Sequence, residues 1–164
     1  MKLLVLGSKG QLGRCLNDQL DNSDYNIIYT SREQIDIGAI EATKSQILEI
    51  KPDVVINATA YTAVDKAEEE PEKSALINHL AVANIADTCS QLGCWLVHFS
   101  SDYVFDGAST VAYIEEDKTN PIGVYGDTKL KGEIAIQSSG CRHIIIRTAW
   151  VFSEYGNNFL KTML

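Results

Sequence analysis

The stretch Lys2-Leu3-Leu4-Val5-Leu6-Gly7-Ser8-Lys9-Gly10-Gln11-Leu12-Gly13 decides the fold. Leu3–Leu6 is a short, continuous apolar run that stops at a glycine, and Gln11–Leu20 then carries Leu12, Leu16 and Leu20 at helical spacing. Such a run reads as a strand buried on both faces, so the order is strand, glycine turn, helix. The glycines fall as G-x-x-G-x-x-G: Gly7 permits the tight turn, Gly10 lets the backbone approach a pyrophosphate, and Gly13 lets helix pack closely on strand. The helix N-terminus beyond them offers unpaired N–H groups to phosphate. A glycine-rich turn without a ligand has the same spelling. The strand before it and the helix after it favour dinucleotide binding.

Working outward, the same alternation repeats. Apolar strands are expected at Asn26–Tyr29, Asp53–Asn57, Cys94–Phe99 and His143–Arg147. Between them, Ile40, Ile47 and Ile50 mark a helix closing before Pro52. Glu72–Leu92 reads as one long helix with Ala75, Leu76, His79, Leu80, Ala83 and Ala86 on its apolar face, and Val124–Gln137 as another. The run Glu68-Glu69-Glu70 reads as a solvated helix start. Continuous apolar strands alternating with helices predict an α/β fold, a doubly wound parallel sheet covered on both faces, the Rossmann fold.

Composition narrows the function classes. The 164 residues suffice for one domain with a real core. With 14 Lys plus Arg against 22 Asp plus Glu, the formal charge is −8. No generic nucleic-acid surface is expected from such a balance. No apolar run approaches the roughly 18–20 residues of a membrane span, and the N-terminal run is too short for a signal peptide, so the expected location is the cytoplasm. Cys15, Cys89, Cys94 and Cys141 form no C-x-x-C pair and no ligand pattern with His79, His98 or His143, so neither a disulfide nor a metal is expected. His98, His79 and Trp95 read as core residues, His143 as exposed, and Lys131 and Glu133 as solvent-facing.

Two further patterns carry chemistry. The second strand ends in Tyr29-Thr30-Ser31-Arg32, without an acidic residue. Ser31 and Arg32 there suit an adenosine 2′-phosphate better than a bare ribose diol, which favours NADPH, with NADH admitted as the alternative. A surface arginine at a strand end is the plainer reading. Asp36 and Ile37 follow closely enough to meet an adenine. Tyr125 and Lys129 stand four apart on one helix face. An ammonium beside a phenol lowers its pKa, and such a Tyr delivers a proton to a carbonyl as hydride arrives. Ser101, at the carboxyl edge of the fourth strand, is placed to hold the same carbonyl oxygen.

The glycine loop, Ser101, Tyr125 and Lys129 together resemble the extended branch of the short-chain dehydrogenase/reductase family. Asn57-Ala58-Thr59-Ala60-Tyr61-Thr62-Ala63-Val64-Asp65-Lys66-Ala67-Glu68, Ser101-Asp102-Tyr103-Val104-Phe105-Asp106-Gly107, Arg147-Thr148-Ala149-Trp150-Val151 and Gly156-Asn157-Asn158-Phe159 are similar to segments of its dTDP-4-dehydrorhamnose reductases. The resemblance implies that Gly10, Gln11 and Leu12 line the pyrophosphate, that Asp36 and Ile37 flank the adenine, and that Ala60, Tyr61 and Thr62 border the cofactor ribose and nicotinamide. It implies Tyr125 as general acid, Lys129 on the nicotinamide ribose, and Ser101, Asp102 and Trp150 against the sugar of a dTDP-linked substrate, whose 4-keto group is reduced with NADPH. Ser101 stands where the family usually has Thr. Cys15 stands where some members carry a Glu used in a metal-linked dimer, so a homodimer is admitted here but not that metal-assisted mode. A non-catalytic, nucleotide-binding regulatory subunit and a nucleotide-sugar epimerase or dehydratase are the alternatives. Residues 1–164 are expected to be the NADP(H)-binding half of a longer enzyme whose substrate domain lies beyond Leu164, able to bind the cofactor but weakly active alone.

Overall fold

A computed structural model describes residues 1–164. Five parallel strands, β1 (Lys2–Leu6), β2 (Asn26–Thr30), β3 (Val54–Asn57), β4 (Trp95–Ser101) and β5 (Arg142–Thr148), form one sheet in the order β2-β1-β3-β4-β5. The register pairs Leu4 with Val55 and Leu6 with Asn57, so the strand ends carrying the glycine turn and the β3 loop lie side by side. The helices are α1 (Gln11–Leu20), α2 (Ile40–Ile50), α3 (Val64–Ala67), α4 (Pro71–Ala75), α5 (Ala81–Leu92), α6 (Val124–Ser138) and α7 (Phe159–Met163). None is long and apolar enough to cross a membrane.

The strand order explains the layers. From β1 the chain steps one way to β2 and then the other way to β3, β4 and β5. Right-handed crossovers therefore put α1 on one face and α2, α5 and α6 on the other. On the second face α2 packs on α5 and α5 on α6. The main core is there: Leu4, Leu6, Ile47, Val55, Ile85, Leu96 and Ile136 are fully buried, each contributing about 1.5–3 kcal/mol through burial. The α1 face is thinner. Leu3 and Val5 are buried, but Ile144 and Ile146 of β5 remain 50% and 37% exposed. The expectation of a sheet covered on both faces thus holds fully for one face and partly for the other.

The expected helix over Glu72–Leu92 is present but not as a straight rod. Between α4 and α5 the chain makes a π-helical turn, Leu76–Leu80. This wider turn shifts the register of side chains, so the buried stripe is Ser74, Asn78, Ala81, Val82, Ile85, Ala86 and Cys89, while Leu80 is exposed and His79 half-buried. The expected face of Ala75, Leu76, His79, Leu80 and Ala83 assumed 3.6 residues per turn throughout, and is corrected accordingly. A Cβ at Gly132 of α6 would overlap the Asn78 carbonyl, so the π turn and α6 meet backbone to backbone.

Two smaller expectations are also corrected. Trp95 is exposed, because it opens β4 at the sheet's lower edge, where the Arg142 guanidinium lies 5.5 Å from its ring. His143 is half-buried, its Nδ1 2.9 Å from the Cys141 carbonyl. The Glu68–Glu70 run is the expected, largely exposed helix start, with Glu70 at the N-cap of α4, and it also binds specific partners. Glu68 Oε1 accepts the Val124 N–H at 2.8 Å, capping α6, and Glu70 accepts Tyr61 Oη at 2.9 Å and Lys73 Nζ at 3.1 Å. All four cysteines are free; Cys89, Cys94 and Cys141 are buried and Cys15 half-buried.

Candidate active site

The turn after β1 is held by Gly7, whose φ of +84° lies in the region glycine favours. The Gly7 and Ser8 amides both donate to the Thr30 carbonyl at 2.9 Å, tying the turn to the end of β2. A Cβ at Gly13 would overlap the Gly7 carbonyl oxygen, so α1 lies directly on the turn. Gly10 is the N-cap of α1, with no side-chain cap and no acidic residue in the first turn. First-turn amides without a cap are an anion site, and their positive dipole end favours phosphate. The cradle fits a dinucleotide pyrophosphate.

Two clefts leave this cradle, sharing Gly10 and Ala58–Ala60 as their common wall. The first, about 610 Å³, lies toward β2 and is lined by Gly7, Lys9, Arg32, Glu33, Ile35, Asp36, Ile37, Tyr61, Lys73, Leu76 and Ile77, among others. Ile35 and Ile37 supply an apolar wall for a base. The polar groups are exposed ion pairs: Lys9 Nζ to Glu33 at 3.1 Å and Arg32 Nε to Asp36 at 3.5 Å. Asp36 Oδ1 also accepts the Gly38 amide at 3.0 Å. Glu33 is held down to about 2, first by the Ser31 hydroxyl and then by a backbone amide and Lys9. Ser31 does not line the cleft: it is buried and its hydroxyl donates to Glu33. Only Arg32 of the expected pair lines the cleft.

The second cleft, about 520 Å³, is lined by Gln11, Leu12, Thr62, Ser101, Asp102, Tyr103, Tyr125, Lys129, Trp150, Asn157 and Asn158, among others. Every expected catalytic and substrate residue is thus in one place. Gly13 lines neither cleft and acts by packing. Tyr125 is delivered by the N-terminal turn of α6. A Cβ at Gly126 would overlap the Tyr103 carbonyl, so the helix sits against the turn Asp102–Val104, and the Tyr103 ring meets that of Tyr125 edge-on at 5.5 Å. The Ser101 hydroxyl donates to Asp102 Oδ1 at 3.0 Å and accepts the Tyr103 amide at 3.2 Å. Trp150 has φ +52° and is 68% exposed, its ring edge-on to Phe159 at 4.6 Å. A bulky residue in that conformation stores strain, as binding residues often do.

The electrostatics differ from the sequence expectation in one respect. Burial raises the Tyr125 phenol above its ordinary value, the neighbouring Ser101 hydroxyl pulls it down, and Asp102 and Tyr103 push it up again. The Lys129 side chain reaches back to β4. Its Nζ donates to the Phe99 carbonyl at 2.6 Å and lies 3.3 Å from His98 Nε2. Lys129 is 1% exposed, and burial lowers it to about 8. Glu133, expected to face solvent, is also 1% exposed. It is one turn along α6 from Lys129 and is clamped by Arg147 of β5 through Nε at 3.1 Å and Nη2 at 2.7 Å. Lys131, in contrast, is exposed and pairs with Asp127 at 2.7 Å.

Several site residues escaped the sequence analysis: Lys9, Glu33 and Lys73 in the first cleft, and His98, Asn78 and Thr128 behind the second. Asn78 accepts the Tyr61 amide at 2.9 Å and donates to its carbonyl at 3.0 Å. Thr128 bonds Ser74 at 2.9 Å. The strongest available signal was polar residues at buried helical positions, hidden here by the π turn.

Comparison with known proteins shows the family. A family model described as the RmlD substrate binding domain matches residues 1–164. The dTDP-4-dehydrorhamnose reductase of Sinorhizobium fredii is 44% identical over 164 residues, covering 100% of this chain and 55% of the relative. That of Escherichia coli K12 is 42% identical, covering 100% and 56%. The crystal structure of the Bacillus anthracis dTDP-4-dehydrorhamnose reductase in complex with NADP superposes with a TM-score of 0.95 at 36% identity, covering 99% of this chain and 58% of that one. The chain thus spans a little over half the length of the relatives it matches.

Proposed function

The chain belongs to the RmlD substrate binding domain family, and from that premise we propose that its protein reduces the 4-keto group of dTDP-4-dehydro-L-rhamnose with NADPH. One observation carries the reading: Ser101, Tyr125 and Lys129 line a single cleft that opens directly from the glycine cradle. Residues 1–164 are then the NADP(H)-binding domain, and the remainder of the sugar site belongs to further chain.

Gly10, Gln11 and Leu12 line the pyrophosphate at the start of α1, and the first cleft takes the adenosine half between Ile35, Ile37 and Arg32. NADPH, when bound, supplies hydride. The residues of the second cleft supply the rest. Ser101 holds the carbonyl oxygen by its hydroxyl. Tyr125, a phenol at neutral pH as any tyrosine is, gives its proton to that oxygen as the C–H bond forms. Asp102 and Trp150 border the sugar. The fixed donors in a half-dry cleft favour the developing alkoxide over the ground-state carbonyl. The reaction consumes cofactor stoichiometrically, which separates it from epimerisation or dehydration, where the cofactor is recycled. The test is NADPH oxidation by the full-length protein with dTDP-4-dehydro-L-rhamnose, followed by product analysis. Stoichiometric dTDP-L-rhamnose is expected. No turnover, or turnover indifferent to Tyr125→Phe, overturns the reading, and a tight protein partner alongside absent turnover would favour a regulatory subunit.

A further inference from the structure

The loop between β5 and α7 carries Trp150 and contains neither strand nor helix, so its position is set by what it touches. Three α1 side chains meet it: Gln11, Arg14 and Asp18, spaced i, i+3 and i+7 and so on one helix face. Asp18 Oδ2 accepts the Tyr155 hydroxyl at 2.7 Å, and the Arg14 guanidinium lies 4.2 Å from the centre of the Tyr155 ring. Gln11 makes the contact next to Trp150. Its Nε2 donates to the Val151 carbonyl at 3.0 Å, and its Oε1 accepts Asn158 Nδ2 at 3.0 Å. Neither amide can be turned over without loss. The Val151 carbonyl only accepts, which directs the Gln11 NH2 group to it. The Lys161 amide only donates, at 3.1 Å to Asn158 Oδ1, which leaves the Asn158 NH2 group for Gln11 and for the Ser153 carbonyl at 2.9 Å. One carboxamide thus bridges the two ends of the segment from Val151 to Asn158.

We infer that Gln11 is a positioning residue for the sugar side of the second cleft: its side chain sets the loop that presents Trp150, while its backbone amide stands in the first turn of α1 at the phosphate cradle. The surroundings agree. Trp150 is 68% exposed, and its aromatic partner Phe159 belongs to the same stretch of chain. That contact fixes the ring within the stretch and leaves α1 to fix the stretch on the domain. Gly156, with φ +64°, brings the loop back against α1, where a Cβ would lie 3.7 Å from the Gln11 Cβ. The helix therefore serves both reactants: its amides meet the pyrophosphate, and its polar stripe holds the loop that borders the sugar. The two roles can be separated within one residue, because a new side chain at Gln11 leaves the amide in place. The inference rests on the reductase reading and deepens it by naming what places Trp150.

The test separates the two roles in the full-length protein. Gln11→Met keeps the side-chain length and the backbone N–H and removes both side-chain hydrogen bonds. KM for dTDP-4-dehydro-L-rhamnose should rise about tenfold, the scale of two neutral hydrogen bonds, while kcat and KM for NADPH stay within about twofold. An unchanged sugar KM, or an equal loss for both substrates, overturns the inference. Asn158→Asp costs Gln11 one of its two bonds whichever way the amide turns. It should give the same split, and it decides alone if Gln11→Met does not fold. A second readout needs no turnover. With 5-fluorotryptophan incorporated, the 19F resonance that disappears in Trp150→Phe belongs to Trp150. In Gln11→Met that resonance should move while the Trp95 resonance, from the far edge of the sheet, stays in place; an unmoved Trp150 resonance overturns the inference. A protein without reductase activity would still show the displaced resonance, so failure of the function and failure of this inference remain distinguishable.

Discussion

The two clefts meet at Gly10 and Ala58–Ala60, yet they are made of opposite materials. The first recognises with loops and exposed ions, Lys9 with Glu33 and Arg32 with Asp36, whose side chains are largely in water. Exposed pairs of this kind are each worth about 0–1 kcal/mol. The second is made of groups that have left water: Lys129, His98, Glu133 and Asn57 are all buried, where every unmade bond is expensive. The difference teaches where change is tolerated. On the proposed function, cofactor preference sits on a surface that can be re-spelled one charge at a time, whereas the chemistry sits on a network of buried, mutually bonded groups.

The largest expected effect lies in the second cleft. Tyr125→Phe removes the proton donor and should lower kcat by about 10²–10⁴-fold while NADPH affinity, measured by fluorescence titration, stays within about twofold; a parallel loss of both would erase the division between the clefts. Next come the two glycines that seat a helix on each side. Gly13→Ala pushes α1 off the turn and Gly126→Ala pushes α6 off the Tyr103 carbonyl. Each should cost about 1–3 kcal/mol of stability as overpacking, but Gly13→Ala should chiefly weaken NADPH binding and Gly126→Ala chiefly lower kcat.

A third prediction uses pH. Lys129 is about 8 folded against an ordinary 10.5, so between those values the unfolded chain binds more protons and stability rises with pH. Lys129→Met should remove that rise, which is of order 2–3 kcal/mol, and should be more stable than wild type near pH 7 although inactive. Coincident denaturation curves at pH 7 and 10 for wild type would contradict it. The smallest effects belong to the first cleft. Arg32→Ala should weaken NADPH by about tenfold and leave NADH unchanged, and Glu33→Gln, which removes an ionised carboxylate from the nucleotide cleft, should tighten NADPH by about threefold, in line with exposed charges.

The sequence made the first of these regions only half legible and the second legible in its reacting groups. Apolar strands and the glycine turn announced the sheet, because continuous apolar runs and G-x-x-G-x-x-G spacing follow from local geometry. Ser101, Tyr125 and Lys129 were visible for the same reason, each being tied to a strand end or a helical interval. Ser31 was misplaced because a hydroxyl's direction depends on its partner, and Glu33 is two residues away. His98 reads as core from its place inside a strand and is buried there, whereas Glu133 does not face solvent as its charge suggests. Only the fold shows that Arg147, fourteen residues on, clamps Glu133, and that Asn57, from a different strand, orients His98. Solvent exposure of Trp95 was missed because a strand's first residue lies outside the helices that cover its centre.

The π turn at Leu76–Leu80 has a consequence for length variation. The helix carries the equivalent of one inserted residue. Removing any single residue from this segment would leave a smoother, intrinsically better helix, and secondary-structure content would scarcely register the loss. But everything on one side of the cut would rotate by about 100° relative to the other. Asn78 would lose the Tyr61 backbone or Ser74 would lose Thr128, and the cofactor loop would come uncoupled from the helix bearing Tyr125. In this chain a one-codon deletion that improves a helix is expected to be among the more damaging changes.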